Sequence, residues 1–159
     1  AAPPDARLVI KNHPLDPGFV SYPPVVARLV RELDIAGRVD YVDTGDASAL
    51  VPRARGIVTV NSTVGMSSLA HGRPVIVLGT AIYNMAGLTF QGGLDDFWRA
   101  AAPPDAELFR RYRNTVIHAT QLNGGFYTPG SRALAVENCQ RLLLAERSPL
   151  EELLDRRAA

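Results

Sequence analysis

Through its first half the chain alternates short apolar runs with amphipathic stretches. Leu8-Val9-Ile10, bounded by Arg7 and Lys11, reads as a first strand. Pro23-Pro24 opens a helix in which Val25, Val26, Leu29, Val30 and Leu33 recur at about 3.6 residues per turn, with Arg28, Arg31 and Glu32 on the outer face and Gly37 at the end. Val39 to Val42 is a second strand, closed by Asp43-Thr44-Gly45-Asp46. Asp46 stands where it can cap a short helix with Ala49, Leu50 and Val51 as its apolar part, cut off by Pro52. Ile57-Val58-Thr59-Val60 and Pro74-Val75-Ile76-Val77-Leu78 are buried third and fourth strands, and the small residues from Val64 to His71 make one compact helix between them. Two parallel strands joined through a helix form a βαβ unit, whose turn after the first strand lies at the carboxyl edge of the sheet. The repeated alternation predicts the fold class: α/β, a Rossmann-like parallel sheet with helices on both faces.

After Gly79 the pattern changes. Thr80 to Gly93 is glycine-rich without a period, and reads as an irregular segment packed over the sheet edge. Leu94 to Ala101 is a short helix carrying Trp98. Asp105 can cap a longer helix with Leu108, Phe109, Tyr112, Val116, Ile117 and Thr120 on one face. Arg110, Arg111 and Arg113 lie on another face, where they can meet phosphate or anionic lipid or simply form a solvated surface. Ser131 opens a further helix with Leu134, Val136, Cys139, Leu142 and Leu143 inward, and Leu150, Leu153 and Leu154 make a last amphipathic turn or two. Residues 1–159 read as one domain, with 131–159 as its C-terminal helices.

Composition narrows the class. A chain of 159 residues, 47% hydrophobic and 21% charged, is large enough for one sizeable core. Its net charge is +1 and the two signs are interleaved, which gives no nucleic-acid stripe. Cys139 is the sole cysteine, so there is no intrachain disulfide and no Cys-rich metal site, and a reducing compartment is expected. No apolar run approaches the roughly 18 residues a membrane span needs, and the start lacks a signal peptide's apolar region. The chain begins Ala-Ala-Pro-Pro without a methionine and reads as a piece of something longer.

Two loops carry candidate chemistry. Lys11-Asn12-His13-Pro14 follows the first strand; Pro14 turns the chain away and leaves a cation and an imidazole at the strand's carboxyl end. Lys11 is the one lysine in the chain. Asn61-Ser62-Thr63-Val64-Gly65 follows the third strand and offers two hydroxyls and free helix N–H groups, with Gly65 allowing close approach. In one parallel sheet both loops lie on the same edge and can serve one phosphate. Each also has a plainer account: Ser62 or Thr63 as a helix cap, His13 as a loop histidine bonded to backbone. There is no Gly-x-Gly-x-x-Gly and no Gly-x-x-x-x-Gly-Lys pattern, and His13, His71 and His118 are isolated rather than at metal spacing.

Lys11-Asn12-His13-Pro14, Val58-Thr59-Val60-Asn61-Ser62-Thr63-Val64-Gly65, Leu69-Ala70-His71-Gly72-Arg73-Pro74-Val75, Leu78-Gly79, Ile82-Tyr83 and Gly87-Leu88-Thr89 together resemble the bacterial capsule polysaccharide synthesis proteins, the KpsC and KpsS type β-Kdo glycosyltransferases. The resemblance runs from about Leu8 to Thr89 and more weakly through Gly125-Phe126-Tyr127. It implies the C-terminal nucleotide-binding half of a GT-B enzyme that moves Kdo from CMP-Kdo to a lipid or glycan acceptor in the cytoplasm, peripheral to the inner membrane, with no metal or other cofactor. On these positions it makes His13, in the His13-Pro14 motif, a partner of the CMP phosphate, Ser62 and Thr63 its hydroxyl donors, and Lys11 an electrostatic neighbour. The catalytic acidic residue is expected in an acceptor-binding domain preceding this segment. Many members carry an acidic residue after the tyrosine, where this chain has Asn84, so no role passes to that position. Two rival readings stand beside this one: a non-catalytic flavodoxin-like module of an export apparatus, and a GT-B domain using a UDP-sugar.

Overall fold

The computed structural model describes residues 2–158, and the chain forms two compact units, Ala1–Pro104 and Asp105–Ala159. The first contains β1 (Leu8–Lys11), α1 (Tyr22–Glu32), β2 (Val39–Val42), two 3-10 turns (Ala47–Ala49 and Val51–Arg53), β3 (Ile57–Thr59), α2 (Thr63–Ala70), β4 (Val75–Val77) and α3 (Leu94–Ala100). A strand forms at each of the four expected places.

The strands pair in parallel, but the expected single sheet is corrected to two small ones. β1 pairs with β2, Leu8 opposite Val39 through Lys11 opposite Val42; β3 pairs with β4, Ile57 opposite Val75 through Thr59 opposite Val77. Two local features limit the ladders. β3 lasts only three residues before the polar turn at Asn61. The free edge of β4 is taken by the segment after Gly79: Phe90 bridges Ile76, and its N–H donates to the Val75 carbonyl at 2.8 Å. β1 is also less covered than its apolar run predicts, with Leu8 and Val9 exposed.

The core of the first unit gathers around β4 and α2. Val51, Leu69, Val75, Ile76, Ala81, Tyr83, Leu88 and Phe97 are buried, together with the polar Ser68 and Thr89. Ser68 meets its burial by donating to the Val64 carbonyl at 2.6 Å one turn earlier. The irregular 80–93 segment therefore supplies the packing that the short strands cannot. Its turn is closed by side chains: the Thr89 hydroxyl donates to Asn84 Oδ1 at 2.7 Å and accepts from Gln91 Nε2 at 2.8 Å. Phe90 and Phe97 pack edge to face with centroids 5.7 Å apart. In α3 the buried aromatic is Phe97, while Trp98 is half-buried.

The second unit is helical: α4 (Ala106–Thr120), α5 (Pro129–Leu144) and α6 (Pro149–Ala158). Asp105 caps α4, its carboxylate accepting the Glu107 and Leu108 N–H groups at 2.9 Å. Leu108, Phe109, Tyr112, Val116 and Ile117 form its half-buried face, as the periodicity predicts, but Thr120, expected on the same face, is exposed at the helix end. The capping box that opens α5 is Thr128 with Ser131, so the helix starts two residues before Ser131. The inward face expected for α5 is corrected, because Leu134, Val136 and Leu143 are exposed and only Cys139 and Leu142 are half-covered. At about 100° per residue Leu134 and Val136 stand about 200° apart, so those positions do not share one face.

Candidate functional site

The start of α2 is built by capping. Ser62 is in the extended region, φ −126° and ψ 145°, and its Oγ accepts the Val64 N–H at 3.2 Å. Its carbonyl accepts the Gly65 N–H at 2.9 Å. The cap reading of Ser62 is thus correct. It does not use up the site, because Oγ acts there as an acceptor and its own O–H keeps no acceptor among the described residues. Thr63 is exposed at the first helical position, with its hydroxyl and its N–H unbonded among the described residues. Asn61 is exposed beside them. Two hydroxyls and one N–H are available at the positive end of a helix, where an anion is favoured.

Gly65 allows a close approach, and the group that uses it is Tyr83. A Cβ on Gly65 would lie 2.2 Å from the Tyr83 hydroxyl oxygen. That hydroxyl donates to the Ser62 carbonyl at 2.6 Å, and the side chain is only 3% exposed. Burial pushes its pKa up, which keeps the phenol a donor. Sequence reasoning left Tyr83 without a role; the signal was a large polar aromatic in a segment without periodicity, rich in glycine.

At the end of β1 the side chains are partly committed to their own loop. The Lys11 ammonium donates to the carbonyls of Asn12 at 2.7 Å and Asp43 at 3.4 Å. The Asn12 amide donates to the Asp43 carboxylate at 2.9 Å, and its Oδ1 accepts the His13 N–H at 2.9 Å. Pro14 is exposed in the turn that follows. His13 is exposed, and its Nδ1 accepts the Leu15 N–H at 3.1 Å, so the backbone-bonded reading of His13 is also correct. With Nδ1 accepting, the imidazole carries its proton on Nε2, which leaves a donor facing solvent. Burial and the carboxylates of Asp43 and Asp16 raise the Tyr41 phenol nearby, so this edge carries negative as well as positive charge.

The two candidate loops end strands of different ladders, and no hydrogen bond joins them among the described residues. Beside the α2 start lies a cavity of about 180 Å³, bounded by Thr63, Val64 and Ser67 on one side and by Asp46, Ser48 and Val51 on the other. The Asp46 carboxylate accepts from both the N–H and the hydroxyl of Ser48, which holds its pKa down. A charged carboxylate on that wall repels an anion and accepts from hydroxyls. Among the described residues no cluster of three or more His, Cys, Asp and Glu is placed to hold a metal, and no helix is long and apolar enough to cross a membrane.

The first unit is a mixed α/β structure in which polar turns follow parallel strands, one of them opening a capped helix. Residues 1–127 match the family described as capsule polysaccharide biosynthesis protein, and the chain belongs to that family. Over 126 residues it is 41% identical to the capsule polysaccharide export protein KpsS of Escherichia coli, covering 79% of this chain and 32% of that protein. It is 43% identical over 128 residues to the capsule polysaccharide modification protein LipB of Neisseria meningitidis serogroup B, covering 80% and 30%. Protein FixF of Sinorhizobium fredii is 33% identical over 135 residues, covering 79% and 30%. The chain therefore spans about a third of the length of the curated relatives it matches. No solved structure matches it.

Proposed function

We propose that this chain is the donor-binding part of a capsule polysaccharide glycosyltransferase of GT-B architecture, with CMP-Kdo as its nucleotide sugar and a lipid or glycan as its acceptor. The observation that carries this reading is the start of α2, where Ser62 is a cap whose hydroxyl remains a donor and Thr63 keeps an unbonded hydroxyl and N–H. In the reaction the bond between the anomeric carbon and the phosphate oxygen of CMP breaks, and the leaving phosphate keeps the electron pair. The acceptor hydroxyl forms the new bond to that carbon and gives its proton to a base in the part of the enzyme that precedes this segment. Charge grows on the phosphate as the bond breaks, so fixed donors there favour the transition state over the ground state. Ser62, Thr63 and the Nε2–H of His13 are those donors. Lys11 adds a positive charge at the edge, and Asp46 accepts from hydroxyls of the neutral part of the nucleotide. The enzyme works in the cytoplasm, peripheral to the inner membrane.

Calorimetric titration with CMP, UMP and AMP tests the donor. CMP is expected to bind selectively, and His13→Ala and Ser62→Ala each to weaken it about tenfold or more, the size of a hydrogen bond to a charged group. Equal binding of UMP points to the UDP-sugar reading. Near-normal turnover of the whole enzyme in both variants refutes the phosphate role.

A further inference from the structure

We infer that Tyr83 is the positioning residue of the α2 start, acting through the Ser62 peptide without touching the ligand. The inference takes its ligand from the donor reading above, whereas the contact itself is geometry. The Ser62 carbonyl and the Thr63 N–H belong to one peptide group, and the described peptides are trans, so the two point in opposite directions across a rigid plane. Whatever fixes the carbonyl fixes the direction of that N–H. Two donors do so: the Gly65 N–H at 2.9 Å and the Tyr83 hydroxyl at 2.6 Å. The first moves with the helix, while the second reaches in from a segment 21 positions along the chain.

Tyr83 is itself held firmly. Its carbonyl accepts the Met85 N–H at 3.0 Å, the Asn84 N–H reaches the Ala81 carbonyl at 2.9 Å, and the Asn84, Thr89 and Gln91 side chains close the turn behind it. Its ring has no space to leave on the α2 side, because it lies directly over the Cα of Gly65. The N–H at the helix start is thereby aimed by the buried core.

Tyr83→Phe keeps the ring and removes the one bond. In hydrogen–deuterium exchange of the protein, read by mass spectrometry, the variant is expected to speed exchange over residues 60–67 about threefold to tenfold, the size of one net hydrogen bond. Exchange in β1, β2 and α4 should stay as it was. Unchanged exchange over 60–67 overturns the inference, whether or not any nucleotide binds. CMP affinity should fall by a similar factor, and the loss should be less than additive with that of Ser62→Ala, because both act on one group of donors. A loosened 60–67 segment with CMP affinity intact, or strict additivity, also overturns the inference. A wild-type protein that binds none of the nucleotides refutes the donor reading, and the exchange result then decides by itself whether Tyr83 holds the turn.

Discussion

Replacing Gly65 by alanine sets two effects of opposite sign against each other. Gly65 lies in the first turn of α2, and on helix propensity alone alanine is better than glycine by up to about 1 kcal/mol. Packing opposes this. The new Cβ would sit 2.2 Å from the Tyr83 hydroxyl oxygen, 2.5 Å from Cζ and 2.7 Å from Cε2, all inside normal contact. Tyr83 is buried and held by its turn, so relief requires the ring or the helix start to shift by about 1 Å, an overpacking cost of about 1–3 kcal/mol. That shift also breaks the bond to the Ser62 carbonyl, worth about 0.5–1.5 kcal/mol. The expected outcome is a net loss of about 1–3 kcal/mol. Trp98 is the sole tryptophan and belongs to the same unit, so its fluorescence during urea unfolding reads the right region. Tyr83→Phe in the Gly65→Ala background should not restore stability, because Cζ and Cε2 still clash. A Gly65→Ala protein with an unchanged or raised midpoint and the same slope refutes the reasoning.

Two other outcomes follow from the side-chain networks. Thr89→Val removes the hydroxyl bonds to Asn84, Gln91 and the Met85 carbonyl from a buried position; Asn84 and Gln91 are exposed and rehydrate, so about 1 kcal/mol is expected to be lost in the same Trp98 assay, whereas Asn84→Asp keeps the acceptor and should be near neutral. Glu107 accepts from Arg110 and Arg111, which bring its pKa from the usual 4.5 down to about 2. A depressed carboxyl pKa favours the folded state above about 4.5, and that contribution disappears as the pH falls toward 2. Acid should therefore loosen the start of α4 in amide exchange, with a smaller effect at high salt and a smaller one in Glu107→Gln, where only the Asp105 cap is left to respond.

The parts of this fold that were legible in the sequence are those set by neighbours within a few residues. Asp46, Ser62 and Asp105 each cap the element expected, because a cap is a bond between positions two or three apart. The strand positions and the half-buried face of α4 follow from local periodicity in the same way. The ladder between strands does not. Whether β4 pairs on both edges depends on Phe90, which sits after a glycine-rich stretch with no repeat to mark it. The same stretch hides Ala81, Tyr83, Leu88 and Thr89, all buried, since irregular backbone places side chains by long-range packing that no period encodes. In α5 the spacing itself spreads the apolar residues around the helix, so Leu134, Val136 and Leu143 face solvent.

At Ser62 and His13 the backbone uses one side of each polar group and leaves the other. Val64 donates to the Ser62 oxygen, which occupies an acceptor site and leaves the hydroxyl proton. Leu15 donates to His13 Nδ1, which leaves the proton on Nε2. Tyr83 donates to the Ser62 carbonyl, which leaves the Thr63 N–H on the far side of the same peptide. In all three cases the fold satisfies an acceptor and keeps a donor free. Donors whose other ends are already fixed need little reorganisation when negative charge develops before them, which is the property a leaving phosphate rewards. On the proposed donor reading, Ser62→Ala, which removes the cap, is therefore expected to weaken anion binding even where the helix survives it.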